Sequence, residues 1–403
     1  MSKGNPGASP LPRISQSPTD PAFVQDPYPH YARMRALGDL VWWEEYALPC
    51  ATSHEAVNSF LRDRRFGREM PADLAPPIPG RLRPFYDLEA HSMLELDAPR
   101  HPRLRALVLR AFTSRRIGEL APEIAAIAEE LLAALPAGEA DLIAGYCQPI
   151  PVRVIARLLG VPEEMAPELL AWSNAMVAMY QARRTRAEED AAVEAALEFA
   201  DFMRAYVEKR RHSPADDLIT HLIAAEEDGE RLSTDELIST CILLLNAGHE
   251  ATVHALGNAV KCLLEHETPP AALAPDAIDA TIEETLRFDP PLHMFNRIAK
   301  EDVEMFGHRF SRGDQVACLL ASANRDPTLW PEPETFDPAR PITTNTSFGA
   351  GAHFCVGAPL ARLEMKIALP ALFTRFPGLR LAGKPKYANL YHFHGLKALR
   401  VRL

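Results

Sequence analysis

A helix-rich α+β fold, mainly α with small β-sheets, is what this sequence predicts, and three observations carry it. Long runs place apolar residues three and four apart, the helical period. Alternating stretches are short and scattered instead of consecutive. No Pro/Gly/Ser linker and no repeat divides residues 21–403, which read as one domain behind a loose tail over residues 1–20 rich in glycine, proline and serine.

In chain order, the helical period predicts helices over His101–Phe112, Pro122–Ala134, Pro151–Leu159, Pro162–Tyr180, Ala187–Arg211, Thr234–His266, Asp276–Phe288 and Pro359–Arg375. Strands are expected near Leu37–Trp43, Arg297–Ile298, Gln315–Leu319 and Ala398–Leu403. The helix from Thr234 has the clearest start, because Ser233 and Glu236 form an S-x-x-E capping box. Gly248 falls in its middle, where glycine costs about 1 kcal/mol against alanine. A bend, a close-approaching ligand and simple tolerance all remain open there.

Forty-three basic against 54 acidic residues give a net charge of −11, which offers no electrostatic support for nucleic-acid binding. The six cysteines lack any C-x-x-C spacing, which argues against a zinc cluster or disulfide framework and fits reduced thiols. The first residues, MSKGNPGASP, carry no apolar run of signal-peptide or membrane-spanning length. A cytoplasmic protein with no membrane anchor is expected.

The segment that carries chemistry is Phe348-Gly349-Ala-Gly351-Ala-His353-Phe-Cys355-Val-Gly357, followed directly by a helix. Glycines let the loop turn tightly, and a cysteine just before a helix N-terminus favours thiolate over thiol. A lone cysteine is more often a structural core residue; the fixed spacing of Phe348, Gly351, His353, Cys355 and Gly357 reverses that judgement. The pattern resembles the F-x-x-G-x-H-x-C-x-G loop of the cytochrome P450 family. The resemblance extends over essentially the whole chain from Asp26 onward.

That resemblance implies a haem b cofactor, held between the long helix and the helix after the loop, with Cys355 as axial iron ligand. A thiolate ligand pushes electron density onto iron and favours O–O cleavage. Phe348, Gly349 and Gly357 are then loop contacts of the cofactor, while His101, Arg105, Arg297 and His353 resemble the family's propionate contacts. Glu284 and Arg287 match its E-x-x-R pair, a structural role joined by Arg340. Neighbouring Arg103, Arg110, Arg115 and Arg116 are a solvated basic face or a docking patch for an acidic redox partner.

Ala247-Gly248-His249-Glu250-Ala251-Thr252 resembles the family's oxygen-activating segment, with Ala247 and Gly248 as small residues beside the cofactor. The chain departs from the pattern where alanine occupies 251 in place of the usual threonine. Thr252 lies about 100° further around the helix. Glu250, Ala251 and Thr252 are the catalytic candidates, and substrate or water assistance to proton delivery is expected. For Thr252 a hydrogen bond to its own backbone is the competing reading.

By the same resemblance the substrate pocket draws on Phe85, Tyr86, Met93, Met176, Met179, Leu244, His293, Met294, Phe295 and Phe393. The methionines can equally be core. His293, Asn296, His392 and His394 are polar positions that orient a substrate group or simply face water. The implied reaction inserts one oxygen atom from O2 into an apolar or modestly polar small organic substrate. Electrons then come from NAD(P)H through a separate ferredoxin and ferredoxin reductase, since the chain carries no flavin or iron–sulfur motif. A peroxide-driven enzyme and a haem-binding sensor are the alternatives, each favoured only by Ala251.

Overall fold

The computed structural model describes residues 11–181, 184–225 and 230–403. They form two compact units, one of residues 11–76, 283–355 and 387–394, the other of 77–282, 356–386 and 395–403. Neither is continuous in sequence, so no linker composition marks a boundary between them.

The first unit is built on a six-stranded mixed sheet in the order Arg13–Ile14, Leu40–Trp43, Leu48–Ala51, Gln315–Leu319, Met294–Ala299, Phe66–Gly67. Arg13 pairs with Trp42 in parallel register, so the ordered chain begins earlier than its tail-like composition suggests; residues 1–10 of that tail lie outside the described residues. The strand expected from Leu37 starts at Leu40, because Leu37 ends the helix Tyr28–Leu37. Leu48–Ala51 was not anticipated, since Pro49 argues against a strand; there it pairs with Trp42. Alternate residues of Gln315–Leu319 serve two cores: Val316 and Cys318 join Phe60, Phe66 and Phe310, while Ala317 and Leu319 join Phe23, Tyr31, Trp43 and Met294. Both faces of the strand are covered, which explains its nearly unbroken apolar run.

The second unit is helical. Its long helix, Thr234–Glu265, is capped by the expected box, with Glu236 N–H donating to Ser233 Oγ and Ser233 N–H to Glu236 Oε2. It packs against Pro149–Leu159, Ala166–Val177 and Arg186–His212. The expected span Pro162–Tyr180 divides into an α-helix, Ala166–Val177, flanked by 3-10 turns at Glu163–Met165 and Ala178–Tyr180. Arg100–Ala111, Ala121–Ala134 and Ala358–Arg375 lie within a residue of expectation. Beyond Leu396–Ala398, Arg400–Arg402 pairs with Arg380–Leu381 and Glu139–Asp141 in a small antiparallel sheet. Among the described residues no helix is long and apolar enough to cross a membrane.

Candidate functional site

The cysteine loop belongs to the first unit, and its backbone is specified by two glycines at positive φ. Gly349 has φ +68°, and a Cβ there would lie 3.2 Å from the Phe295 ring. Gly351 has φ +71°, and a Cβ would come within 2.4 Å of the Leu61 carbonyl oxygen, so only glycine fits against the end of helix His54–Arg62. The loop is closed by Gly349 N–H to Thr346 O (2.8 Å), Phe354 N–H to Gly351 O (3.1 Å) and Cys355 N–H to Phe348 O (3.0 Å). His353 ends a 3-10 turn over Gly351–His353.

Cysteine environments separate sharply. Cys50, Cys147, Cys241, Cys262 and Cys318 are buried, whereas Cys355 is partly exposed. Burial pushes the Cys241 and Cys318 thiols up to about 12, and the Cys50 and Cys147 thiols further still. Those four are inert core thiols; Cys355 alone of the six is not buried.

Beside the loop the structure brings Glu284, Arg287 and Arg340 together, as expected. Arg287 grips Glu284 with two bonds, Nε to Oε2 at 2.7 Å and Nη2 to Oε1 at 2.8 Å, and both residues are almost fully buried. Its remaining donors reach the carbonyls of Asn324, Pro333 and Thr335. Arg340 Nε lies 3.3 Å from Glu284 Oε2, and Asp337 N–H donates to Oε1 at 2.9 Å. Three residues, Asn324, Thr346 and Ser347, tie this network to the cysteine loop, and sequence reasoning missed them. Asn324 receives Thr346 N–H (2.7 Å) and donates to Ser347 Oγ (2.8 Å), which in turn donates to Leu286 O (2.7 Å). The signal was the polar run Asn324-Arg325-Asp326 directly after an apolar segment.

Arg297 is buried on the strand Met294–Ala299, opposite Val316, and Nη1 donates to Asn296 O at 2.9 Å. Of the pocket candidates in this unit, Met294 goes to the core beside Tyr31 and Trp43, because the pleat turns it away from Phe295. Phe295 packs on Gly349. His293 enters a buried polar cluster: Nδ1 lies 3.0 Å from Tyr31 Oη, its ring is 4.4 Å from that of His394, and burial keeps it neutral. His293 and His394 are therefore not water-facing loop histidines. Phe393 is half-buried, bridged through its backbone to Leu292.

In the second unit, every residue of the long helix from Leu237 to Val260 is buried except Ala247, Gly248, Glu250 and Ala251. One opening floored by small side chains on an otherwise sealed helix fits a flat, apolar cofactor. Gly248 itself is explained by packing: its Cβ would stand 3.2 Å from Ile155, so the glycine permits close approach of helix Pro149–Leu159, and the long helix is unbroken there. Thr252 Oγ1 donates back to Gly248 O at 3.3 Å, so its hydroxyl is spent on the backbone. His249 Nδ1 is 2.9 Å from Leu245 O, and burial keeps that ring neutral.

Glu250 is different. Its Oε2 is buried with no hydrogen-bond partner, and burial pushes the carboxyl up to about 7. One turn on, His254 Nε2 lies 4.0 Å from Glu250 Oε1. Glu364, on the helix Ala358–Arg375, is a second carboxyl that burial drives well above its usual range. Sequence reasoning singled out neither His254 nor Glu364; an ionisable residue amid buried apolar neighbours was the available signal. On helix Arg100–Ala111 the expected His101 and Arg105 share a face, with His101 buried. Arg103 is ion-paired to Glu236 and thereby leaves the open basic face. Phe85, Met93, Met176, Met179 and Leu244 are buried in this unit, Tyr86 packs edge-on to Phe85, and Met176 Sδ accepts from Asn246 Nδ2 at 3.7 Å.

A model of the family described as Cytochrome P450 matches residues 277–383. Full-length likeness goes further. The P450 monooxygenase PikC of Streptomyces venezuelae is 36% identical over 94% of this chain and 92% of its own length. A vitamin D(3) 25-hydroxylase of Pseudonocardia autotrophica is 39% identical over 89% of each. The solved structure of P450BioI, in complex with an acyl carrier protein ligated to hexadec-9Z-enoic acid, superposes with a TM-score of 0.89 at 33% identity, covering 95% of this chain and 99% of that one. Fold and sequence together define a haem-iron oxygenase. The chain belongs to the cytochrome P450 family and is a monooxygenase; its P450 homologues act on small substrates with O2, and bacterial P450s use redox partners.

Proposed function

We propose that this enzyme inserts one atom of O2 into an apolar or modestly polar small organic molecule, with haem b ligated by Cys355 and electrons drawn from NAD(P)H through a separate ferredoxin and its reductase. The observation that carries the assignment is Cys355: the one cysteine outside the cores, at the end of a loop whose glycines admit no other residue at 351. When bound, the haem supplies the iron at which dioxygen is activated, and a thiolate ligand favours O–O cleavage.

The residues around it divide the remaining work. Glu284, Arg287 and Arg340 fix the loop's approach through a fully hydrogen-bonded network. His101, Arg105, Arg297 and His353 supply cationic and hydrogen-bonding groups for the propionates, and Phe348, Gly349 and Gly357 shape the loop side of the cofactor. Ala247 and Ala251 leave space on the helix. Glu250, with a carboxyl that titrates near neutral pH, can both hold and release a proton at Oε1 or Oε2. Phe85, Tyr86, Met93, Met176, Met179, Leu244 and Phe393 remain the substrate-side candidates.

The carbon monoxide difference spectrum of the reduced holoprotein tests the ligand. Wild type should show the long-wavelength Soret band of thiolate ligation, and Cys355→Ser should lose it together with NADPH-driven product. A band indifferent to the substitution overturns the assignment. Product formed from peroxide but never from NADPH would favour the peroxide-driven reading that Ala251 invites.

A further inference from the structure

The long helix poses a question that the proposed role of Glu250 leaves open. Proton delivery needs a second group to refill the acid, and the helix offers none of the obvious ones. Ala251 has no hydroxyl, Thr252 Oγ1 is bonded to Gly248 O, and His249 is held neutral with Nδ1 on Leu245 O. His254 is left. It stands four residues beyond Glu250, on the same face, with Nε2 4.0 Å from Oε1.

We infer that His254 and Glu250 form a proton-relay pair, in which His254 takes over the function that a hydroxyl at position 251 would otherwise serve.

This rests on the proposed role of Glu250 and names its partner. The transfer moves one proton from Nε2 of the imidazolium to Oε1 of the carboxylate, leaving a neutral ring and a neutral acid; a proton from solvent returns to the imidazole when the side chain turns outward. Glu250 is 19% exposed and sits at the helix opening, whereas both ring nitrogens of His254 are buried, which shields the pair from bulk water between transfers. Two features make the geometry specific. The His254 ring lies flat against Gly395, where a Cβ would come within 2.0 Å of Nδ1, so a glycine at 395 is what allows the ring its place. The span of 4.0 Å closes to hydrogen-bond distance by a small side-chain rotation, and catalytic hydrogen bonds commonly tighten only when a site is filled.

Two measurements on the holoenzyme test the pair, and neither needs the natural substrate. The first is the infrared carbonyl band of protonated Glu250 in the ferric protein at neutral pH, identified by its disappearance in Glu250→Gln. The second is the stoichiometry of O2 to NADPH without organic substrate, electrons being supplied by a surrogate ferredoxin and reductase. Peroxide release consumes one NADPH per O2 and full reduction to water consumes two, so failed proton delivery raises the peroxide share. His254→Leu should shift the Glu250 band and raise the peroxide share several-fold; His254→Gln, which keeps a polar donor, should recover most of the wild-type ratio. The double variant His254→Leu/Glu250→Gln should be no worse than Glu250→Gln alone, as expected of two groups on one route.

An unchanged ratio in His254→Leu overturns the proposal. So does a changed ratio with an unmoved Glu250 band, since His254 would then act through packing on Gly395. A Glu250→Gln variant with the wild-type ratio removes the role of Glu250 itself, and the pair falls with it; a normal response to Glu250→Gln with none to His254→Leu removes only the pair.

Discussion

The cysteine loop and the middle of the long helix handle buried polar groups in opposite ways. Around the loop, both Glu284 oxygens and the guanidinium donors of Arg287 are paired, and Asn324, Thr346 and Ser347 bond one another and the adjoining backbone. Along the helix, Thr240 Oγ1, Asn246 Oδ1, His249 Nε2 and Glu250 Oε2 are buried without a hydrogen-bond partner. A satisfied network holds one arrangement rigidly, whereas an unsatisfied acid in a nearly sealed wall stands ready to exchange a proton. The contrast separates a region built to position from one built to react.

The comparison breaks most severely if the loop network tolerates loss of a partner. Arg287→Ala removes the two-pronged partner of the buried Glu284 carboxylate and leaves only Arg340 beside it, a change that costs up to about 3–5 kcal/mol. Little haem-loaded protein should be recovered, as read by the Soret-to-protein absorbance ratio, and Arg287→Lys should rescue only in part because an ammonium lacks the two-pronged grip.

On the helix, the acid should reveal itself through pH. Its carboxyl titrates near 7 in the folded protein against 4.5 ordinarily, so between those values the folded state binds more protons than the unfolded one. Wild-type stability contributed by this group is complete below pH 4.5 and lost as pH rises through 7. Glu250→Gln removes that loss. Its advantage in unfolding free energy over wild type should therefore be small at pH 5 and largest at pH 8, reaching up to about 3 kcal/mol. An advantage independent of pH would show that burial does not govern this carboxyl.

Gly248→Ala places a methyl 3.2 Å from Ile155. Overpacking of that kind costs about 1–3 kcal/mol, so thermal unfolding should move down despite the better helix propensity of alanine. A rise in melting temperature would show that the two helices can separate at no cost. The smallest effect belongs to Thr252→Val: because that hydroxyl bonds only its own helix backbone, the O2-to-NADPH ratio should stay at the wild-type value. A changed ratio would return Thr252 to the proton route.

Much was legible in the sequence because it depends on local spacing. The capping box at Ser233, the period of the long helix, the glycines flanking Cys355 and the three-residue separation of Glu284 and Arg287 all act within one turn or one loop, and the structure shows each of those local geometries. Arg340 was found only through resemblance, since it lies far along the chain from the pair it joins.

What tertiary structure alone decided concerns groups whose meaning depends on their neighbours. Met294 became core and Phe295 a support of the cysteine loop because pleat direction, which one strand cannot report, sends them to opposite faces. Gly248 became a packing residue once Ile155 was seen against it. His254 gained its position from Gly395, more than a hundred residues away in sequence. The sequence by itself determined the family, the cysteine and the helix that carries the acid, because those rest on residue type and short spacing. Burial, which raises Glu250 and separates Cys355 from five buried thiols, arises only when distant segments exclude water together.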